Sequence, residues 1–403
     1  MRKISIFGAT GSIGRNTVDV IERQGGPDAF DVVALSGGRN VAELASQARR
    51  LRADVAVTAF PDCAEELATL LADTDTRVLS GAAALNAVAQ RPVDWAMSAI
   101  IGAAGLHPTI HMAQHARVLA LANKECLVCA GAHLKAVCAA NGTTLLPVDS
   151  EHSAIFQSLM GGKAHELDRI ILTASGGPFR TWSRDAMAAA TLEQALTHPN
   201  WDMGAGITID SASMFNKALE MIEAQVLFDA EPQQVEVIIH PQSIVHSMVG
   251  FRDGAILAQL GPPDMRGAIG FALNYPDRQP LPVERLDFGA VARLDFETPD
   301  TDRFPALGLA RQVMEMGGAT GAVLNAAKEV AQSHFIAGRI GFLDMAAVVD
   351  EVLHNLADDA VAVNADDGID PILMIDQRAR GSAASVIAAR FGQSEQKAMS
   401  WNS

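Results

Sequence analysis

The sequence predicts an α/β fold in three parts: an N-terminal parallel sheet, a central α+β domain and a C-terminal α-helical bundle. Three observations predict this. Short apolar, β-rich runs alternate with helical patterns up to about residue 148, the pattern is mixed from about 150 to 275, and helical patterns dominate after residue 305. Strands separated by helices are typical of βαβ units, in which the strands run parallel. A chain of 403 residues also has room for about two to three domains.

The N-terminal part contains seven apolar runs that predict strands, at residues 4–7, 32–35, 55–57, 78–79, 95–100, 118–122 and 145–148. Apolar residues at helical spacing predict helices between them, for example at 41–50, 63–71 and 126–140. We therefore expect a Rossmann-like sheet over residues 1–149. Open α/β sheets bind ligands at the carboxyl ends of their strands, so the polar residues that follow the first, sixth and seventh strands are candidates for a site.

The remainder of the chain has a different pattern. Strands are predicted at 169–173, 235–239 and 255–260, which indicates an α+β domain over 150–275. Five prolines mark 276–305 as an extended connector. Helical patterns near 306–316, 319–337, 342–357 and 372–391 predict a bundle over 306–391, followed by a polar tail at 392–403.

Composition excludes several classes of partner and location. The 31 basic and 47 acidic residues give a net charge of −16, which argues against nucleic acid or an anionic membrane as the main partner. Four cysteines in a chain of this size do not indicate a disulfide framework, which favours a reducing compartment. The start, Met1 to Lys3, leads directly into an apolar strand without a signal-peptide core. We expect a cytoplasmic protein.

A glycine-rich turn follows the first predicted strand and opens a helix. Its sequence is GATGSIG, with Gly8, Gly11 and Gly14 three residues apart, rather than the commoner G-x-G-x-x-G spacing. Glycines allow a pyrophosphate to approach the backbone, and a helix N-terminus offers free N–H groups. The turn therefore predicts dinucleotide binding; the alternative is an ordinary tight turn.

The residues at the end of the second predicted strand indicate which dinucleotide the protein binds. An NAD site normally carries an acidic residue there for the ribose 2′-hydroxyl. This chain has Ser36, Gly37, Gly38, Arg39 and Asn40 instead, whose donors suit a 2′-phosphate, so NADP is favoured over NAD. The alternative is that Arg39 is an ordinary solvated side chain.

Three carboxylates are candidates for binding a divalent cation. Asp149 and Glu151 lie two residues apart, and in an extended strand end they would point to the same face. Glu220 lies in a helical pattern in which Ser213, Asn216, Lys217 and Glu220 would share one stripe. Oxygen ligands favour Mg²⁺ or Mn²⁺ over zinc. The alternative is a set of surface charges and a solvated helix face.

Two segments are candidates for binding phosphate. The sequence TASGGP at 173–178 follows an apolar strand, and Asp210 with Ser211 precedes the Asn216 and Lys217 helix in the position of an N-cap. Hydroxyls, glycine amides and one lysine are sufficient to hold a phosphate monoester. The alternative is a turn and a helix cap.

A loop at about 195–206 is predicted to be a lid. Trp201 and Met203 are followed by Gly204 and Gly206, which could act as hinges, and a closing lid excludes water from a reaction. The alternative is a tryptophan anchored in the core.

Cys126, Cys129, His133 and Cys138 resemble a metal or redox site at first sight. On a helix with this spacing, such side chains are more often packed in the core, and no second pair of ligands follows. We therefore expect these four residues to be buried and not to bind a metal.

Taken together, the motifs closely resemble the 1-deoxy-D-xylulose 5-phosphate reductoisomerase family over nearly the whole chain. The motifs that carry the resemblance are GATGSIG (8–14), ALANKE (120–125), PVDSEH (147–152), ASGGPFR (174–180), HPNW (198–201), DSASMFNK (210–217) and GPPDMR (261–266). Such a family member would be an NADPH- and metal-dependent enzyme that rearranges and reduces a sugar phosphate. It would be a homodimer, with residues 1–149 as its NADPH-binding domain and 150–275 as its catalytic domain.

The resemblance implies a role for each matching residue. Asp149, Glu151 and Glu220 would hold the cation and, with Lys124 and His198, form the catalytic set. The substrate would be bound by Ser150, Glu151, Ser175, His198, Trp201, Ser211, Asn216, Lys217, Glu220 and Met265. NADPH would be bound by Gly8, Thr10, Gly11, Ser12, Ile13, Gly14, Gly37, Gly38, Arg39, Asn40, Ala122, Asn123, Lys124, Glu125, Met203 and Gly204.

Two other functions remain open at the level of the sequence. An NADP-dependent semialdehyde dehydrogenase also begins with Gly-Ala-Thr-Gly, but it needs a nucleophilic cysteine in its catalytic half. All four cysteines here lie at or before Cys138. A non-catalytic NADP-sensing protein would be expected to lack the carboxylate set, and all three carboxylates are present.

Overall fold

The computed structural model describes residues 1–197 and 204–392. Its strands are β1 (Arg2–Phe7), β2 (Phe30–Gly37), β3 (Val55–Thr58), β4 (Arg77–Ser80), β5 (Val93–Ser98), β6 (Ala116–Leu121), β7 (Thr144–Pro147), β8 (Leu167–Ala174), β9 (Val235–Ile239), β10 (Val245–Phe251) and β11 (Ile256–Leu260). Its α-helices are α1 (Ser12–Arg23), α2 (Val41–Leu51), α3 (Ala64–Leu70), α4 (Ala82–Ala89), α5 (Leu106–His115), α6 (Glu125–Asn141), α7 (Ser150–Leu159), α8 (Arg184–Ala188), α9 (Leu192–Ala195), α10 (Ala205–Ala212), α11 (Phe215–Phe228), α12 (Met265–Asn274), α13 (Phe288–Val291), α14 (Ala306–Met316), α15 (Thr320–Ile336), α16 (Asp344–Val361) and α17 (Asp370–Phe391).

The chain divides into two units that do not follow a single cut in the sequence. Unit 1 comprises Met1–Cys126, Leu134–Gln157 and Asp264–Asp287. Unit 2 comprises the described residues within 127–133, 158–263 and 288–392. These packing units differ from the functional division at 149 and 275, which stays a prediction.

Unit 1 is built on a seven-stranded sheet in the order β4-β3-β2-β1-β5-β6-β7, with neighbouring strands parallel. The Rossmann-like sheet is thereby confirmed, and each predicted run overlaps an observed strand. Ile4 and Ile6 of β1 are fully buried, as expected for a central strand covered by helices on both faces. The order of the strands reverses between β1 and β5, which is where such folds bind their ligands.

Helix α12 belongs to unit 1 although it follows the central part of the chain. The indole N–H of Trp95 in β5 donates to the carbonyl oxygen of Ala272, at 3.0 Å, and Ile269, Ala272 and Leu273 join the buried core of the sheet. No sequence pattern indicated this return of the chain.

Unit 2 contains a four-stranded sheet in the order β11-β10-β8-β9. Strand β10 is antiparallel to β8 and β11, whereas β8 and β9 are parallel. The three predicted strands of this region are confirmed. Strand β10 was missed because His246, Ser247 and Gly250 interrupt its apolar pattern, although its residues are mostly buried.

The four predicted C-terminal helices are confirmed as α14 to α17. Residues 127–133 of α6 also belong to unit 2. There a side chain at Gly321 of α15 would bring its Cβ to 2.0 Å from the carbonyl oxygen of Val128, so only glycine permits this approach. The imidazole Nδ1 of His133 lies 2.9 Å from the carbonyl oxygen of Ala365. Among the described helices, none combines the length and the apolar character needed to cross a membrane.

Candidate active site

The glycine turn joins the end of β1 to α1 at the switch point of the sheet. Gly8 has a φ of +91°, and a Cβ there would lie 2.3 Å from the carbonyl oxygen of Ala99, which follows β5. A Cβ at Gly14 would lie 2.2 Å from the carbonyl oxygen of Gly8. Helix α1 begins at Ser12, so the unsatisfied N–H groups of its first turn follow the turn directly. The strand, turn and helix that a dinucleotide site requires are all present.

The end of β2 packs against this turn. The N–H of Gly8 donates to the hydroxyl oxygen of Ser36 at 3.1 Å, so buried Ser36 supports the turn. Asn40 is the N-cap of α2, and its side-chain oxygen accepts from the N–H of Glu43 at 3.2 Å. The Arg39 guanidinium lies over the Phe60 ring, 4.1 Å from its centroid, and 2.7 Å from a carboxylate oxygen of Asp62. Its side chain is 61% exposed and accessible to a ligand.

Asn123 follows β6 and holds two connections together. Its amide nitrogen donates to the carbonyl oxygens of Ile100 and, at 3.0 Å, of Gly102, while its amide oxygen accepts from the N–H of Cys126 at 3.0 Å. This side chain is only 2% exposed. Asn123 therefore fixes the loop after β5 to the start of α6.

The segment that begins at Asp149 is helical, and the prediction of an extended strand end there was wrong. Strand β7 ends at Pro147 and α7 begins at Ser150, with the N–H of Ser153 donating to the carbonyl oxygen of Asp149 at 2.8 Å. Asp149 thus occupies the N-terminal position of the helix and Glu151 lies in its first turn. An acidic residue is favourable at both positions because the helix N-terminus is partly positive.

Carboxylates and an ammonium group meet at the ends of β6 and β7. The Nζ of Lys124 lies 2.5 Å from Oδ2 of Asp149, with side chains 14% and 12% exposed. A carboxylate oxygen of Asp149 and one of Glu151 lie within 4.8 Å of each other, close enough to share a cation. The hydroxyl of Ser150 donates to Oε2 of Glu151 at 2.5 Å.

Asp149 is ionised in this environment. Burial alone would raise the pKa of its carboxyl, but Lys124 and His152 oppose burial, and a hydrogen bond with Glu151 adds to their effect. The net result is a pKa well below the ordinary value of 3.8. The carboxylate of Asp149 is therefore negatively charged in the neutral range.

The predicted phosphate segments of unit 2 lie against each other. The turn after β8 has positive φ angles at Gly176 and Gly177, of 85° and 64°, and the N–H of Gly177 donates to the hydroxyl oxygen of Ser175 at 3.2 Å. A Cβ at Gly177 would lie 2.7 Å from the carbonyl oxygen of Ser211. The turn and the last part of α10 are therefore in close contact.

The stripe predicted from Ser213 to Glu220 is broken. Met214 has a φ of +63° and separates α10 from α11, so Ser213 ends one helix while the other three residues lie on the next. The Ser213 hydroxyl donates to the carbonyl oxygen of Ile209 at 2.8 Å. The prediction that Asp210 and Ser211 cap the following helix was also wrong, because both lie inside α10.

The remaining three residues of the stripe meet on α11. The Asn216 amide donates to one carboxylate oxygen of Glu220, and the Lys217 ammonium donates to the other. Glu220 is fully buried and Lys217 is nearly so. A cation or a phosphate at this helix would therefore meet an amide, an ammonium and a carboxylate that are already linked.

Three of the predicted site residues, His198, Trp201 and Met203, lie outside the described residues. Gly204 is the N-cap of α10, and its carbonyl oxygen accepts from the Thr208 hydroxyl at 3.0 Å. Met265 begins α12 and is partly buried against the core of unit 1.

One buried polar network was not predicted. The Nζ of Lys328 on α15 lies 2.8 Å from Oδ2 of Asp210, and Nε2 of Gln332 lies 2.7 Å from Oδ1 of the same residue. The available signal was a lysine inside an apolar helical pattern, since lysines are rarely buried unless paired.

The fold and these side chains define an α/β protein of the Rossmann-like class with a polar, carboxylate-containing site at the ends of its strands. Three family models match the chain: 1-deoxy-D-xylulose 5-phosphate reductoisomerase at residues 4–131, its C-terminal domain at 145–228, and DXP reductoisomerase C-terminal domain at 260–382. The chain belongs to the 1-deoxy-D-xylulose 5-phosphate reductoisomerase family.

Individual relatives resemble the chain over nearly its whole length. The 1-deoxy-D-xylulose 5-phosphate reductoisomerase of Ruegeria pomeroyi is 56% identical over 97% of this chain and 99% of its own. That of Cereibacter sphaeroides is 55% identical over the same shares. A solved structure of the enzyme from Zymomonas mobilis in complex with NADPH is 46% identical, covers 96% of this chain and 99% of its own, and has a TM-score of 0.89. A DOX-P reductoisomerase in complex with NADPH, fosmidomycin and magnesium is 38% identical, covers 96% and 98%, and has a TM-score of 0.90.

Proposed function

We propose that this protein is a 1-deoxy-D-xylulose 5-phosphate reductoisomerase that depends on NADPH and a divalent cation. It rearranges the carbon skeleton of 1-deoxy-D-xylulose 5-phosphate to a branched aldehyde and reduces that aldehyde to 2-C-methyl-D-erythritol 4-phosphate, an isoprenoid precursor. The observation that carries the proposal is the group at the ends of β6 and β7, where Lys124 lies 2.5 Å from Asp149 beside Glu151.

A hard divalent cation fits the available donors. Asp149 and Glu151 present carboxylate oxygens within 4.8 Å of each other, and oxygen is the ligand that Mg²⁺ and Mn²⁺ prefer. The low pKa of Asp149, for which Lys124 and His152 overcome the effect of burial, keeps this ligand charged. We assign the cation to Asp149, Glu151 and Glu220.

NADPH fits the glycine turn of unit 1. The turn is tightly packed, because a Cβ at Gly8 or Gly14 would lie 2.3 or 2.2 Å from a backbone carbonyl oxygen, and the N–H groups of the first turn of α1 follow it directly. The pairing of Arg39 with Asp62 is between two side chains that are each more than half exposed, and such surface pairs are weak. The guanidinium can therefore exchange Asp62 for the 2′-phosphate of the cofactor. We assign Asn123 a supporting role, since its amide is engaged by backbone groups.

When bound, the cation supplies a Lewis acid that polarises the substrate carbonyl, and NADPH supplies the hydride. The protein supplies the charges around these groups. Lys124 and Ser150 are assigned to the hydroxyls of the substrate, and the Lys124 ammonium is already oriented by Asp149. The loop predicted at 195–206, with Trp201 and Met203, is assigned the exclusion of water from the reacting end, but Gly206 lies inside α10 and is not the hinge that was predicted.

The phosphate of the substrate is assigned to residues of unit 2: Ser175, Ser211, Asn216 and Lys217, with His198. The close contact of the Gly177 turn with Ser211 supports the assignment, because it places the backbone of two of these segments together. The phosphate group is remote from the reacting carbons, and its binding provides energy that orients the reacting end of the substrate.

The experiment that tests the function measures NADPH oxidation by the purified protein with 1-deoxy-D-xylulose 5-phosphate. Divalent ions are first removed with EDTA and then restored as Mg²⁺ or Mn²⁺. We expect turnover only after an ion is restored, with 2-C-methyl-D-erythritol 4-phosphate as product. Absence of metal-dependent turnover would contradict the proposal.

The alternative functions are not favoured. A semialdehyde dehydrogenase needs a reactive thiolate, but Cys126, Cys129 and Cys138 are buried, and burial raises the pKa of Cys138 to about 11. A protein that only senses NADP would have no use for charged Asp149 beside Lys124 and Glu151.

We further propose that the enzyme is a cytoplasmic homodimer. Four cysteines in a chain of this size do not indicate a disulfide framework, which favours a reducing compartment. Strand β11 is at an edge of its sheet, with Ile256 and Leu257 48% and 39% exposed. Exposed apolar edge strands readily pair with a second chain, so Ile256→Lys should shift the mass measured by light scattering toward the monomer.

A further inference from the structure

A buried network joins Asp210, Lys328 and Gln332, none of which is itself assigned to a ligand. Asp210 is 7% exposed and Lys328 is 5% exposed. Lys328 reaches one carboxylate oxygen of Asp210 at 2.8 Å, and the Gln332 amide reaches the other at 2.7 Å. The same amide nitrogen also donates to the carbonyl oxygen of Gly206 at 2.8 Å.

The network fixes α10 to α15 at two levels. Lys328 and Gln332 are one turn apart on α15, and Gly206 and Asp210 are one turn apart on α10. Both carboxylate oxygens of Asp210 and one backbone carbonyl are thus held by a single face of α15. A helix of eight residues has little stability of its own, so its position depends on its neighbours, and these contacts add to the burial of Thr208, Ile209 and Ala212.

Helix α10 in turn determines the position of the residues assigned to phosphate. It carries Ser211, and the carbonyl oxygen of Ser211 lies directly under the Gly177 turn. Its C-cap, Ser213, is followed directly by Met214, the N-cap of α11, and α11 carries Asn216 and Lys217. A shift of α10 would therefore move the Ser175 turn and Ser211 relative to each other.

We propose that Lys328 and Gln332 are positioning residues for the phosphate-binding part of the site, acting through Asp210 and the Gly206 carbonyl. A buried ion pair contributes little net stability compared with apolar packing, so its main contribution is to fix one arrangement of α10. The inference rests on the proposed function, because the phosphate that the arrangement serves is that of the proposed substrate.

The test compares Lys328→Met and Gln332→Met with the parent enzyme. Gln332→Met leaves Asp210 paired with Lys328 and is therefore the milder change if Lys328→Met impairs folding. We expect each variant to raise the KM for 1-deoxy-D-xylulose 5-phosphate by about tenfold, with kcat reduced much less and the Kd for NADPH unchanged. Hydrogen exchange of the amides at 205–212 should accelerate in both variants.

The matched control is Glu329→Gln, which removes a partly buried ion pair with Arg380 from the neighbouring position of α15 without a contact to α10. Its KM should remain that of the parent. An unchanged KM in both test variants, or an equal rise in Glu329→Gln, would overturn the inference. Failure of the parent enzyme to turn over the substrate would instead contradict the proposed function, and the hydrogen-exchange result would still report whether the network holds α10.

Discussion

The ammonium of Lys124 and the carboxylate of Asp149 lie 2.5 Å apart, although one follows β6 and the other follows β7. Parallel neighbouring strands end at the same edge of the sheet, so two residues 25 positions apart become a largely buried ion pair. The pair places a positive charge beside the carboxylate that we propose as a ligand of the cation.

Lys124→Met should abolish most of the activity and destabilise the fold by about 3 kcal/mol at neutral pH, because it leaves Asp149 buried without its main partner. The folded-state pKa of Asp149 is depressed, so the stabilisation is present above the ordinary value of 3.8 and is lost as the pH falls through the lower folded value. The difference in unfolding free energy between parent and variant should therefore shrink in acid. Urea unfolding at several pH values measures it, and a difference that grows in acid would refute this account.

Glu220→Gln should reduce metal-dependent turnover by more than about a hundredfold while NADPH still binds, because the carboxylate is assigned to the cation and not to the cofactor. Turnover over a range of Mg²⁺ concentrations and NADPH fluorescence separate the two effects. Glu236→Gln, which alters an exposed ion pair with Arg169, is the control and should behave as the parent. Loss of NADPH binding in Glu220→Gln would show that the two roles are not separate.

Gly14→Ala should lower the free energy of unfolding by about 1–3 kcal/mol, because its Cβ would lie 2.2 Å from the carbonyl oxygen of Gly8. NADPH binding should weaken at least about tenfold as the turn opens. Gly267→Ala is the control in the same unit, since a Cβ there meets nothing within 4 Å and alanine favours a helix. Thermal unfolding and NADPH titration of both variants provide the comparison. If Gly14→Ala matches Gly267→Ala in stability and in NADPH affinity, the turn can relax to accommodate the added Cβ.

Arg39→Ser should weaken NADPH binding by about 10- to 100-fold and leave NADH binding nearly unchanged, because only NADPH carries the 2′-phosphate. Arg49→Ser is the control, as Arg49 also forms an exposed ion pair, 2.7 Å from Asp73, near the other end of α2. If the two variants bind NADPH equally well, Arg39 is a solvated side chain and the preference for NADP has another source.

The seven strands of unit 1 could be predicted because each contains a short apolar run, and the central strands β1, β2 and β5 are mostly buried, which leaves a clear pattern in the sequence. The beginning of α7 could not, because Asp149 and Ser150 are equally compatible with the end of a strand. Nor could the break at Met214, since a methionine with a φ of +63° has no sequence signature. The ion pair of Asp210 with Lys328 joins residues 118 positions apart, and only the fold brings them together.

The identities of the ligand residues stay a prediction, and the structure bears only on the geometry expected for them. Chemistry selects residue types: carboxylates for a hard cation, and hydroxyls, amides and lysine for phosphate. Asp149 and Glu151 were correctly expected to lie close to each other, although they do so in a helical turn instead of an extended strand. Ser211 was predicted to precede the helix of Asn216, and Ser213 to lie on that helix. Both predictions depended on where a helix begins and ends, which is the least certain part of a sequence pattern.

The fully engaged amide of Asn123 has a consequence for the chemical ageing of the protein. Deamidation would replace its donor nitrogen by an oxygen, and this acceptor would then face the carbonyl oxygens of Ile100 and Gly102. The loop after β5 and the start of α6 would be pushed apart by the change of a single functional group. Burial of Asn123 and the three hydrogen bonds that immobilise its side chain also keep it from the reaction that would cause this damage.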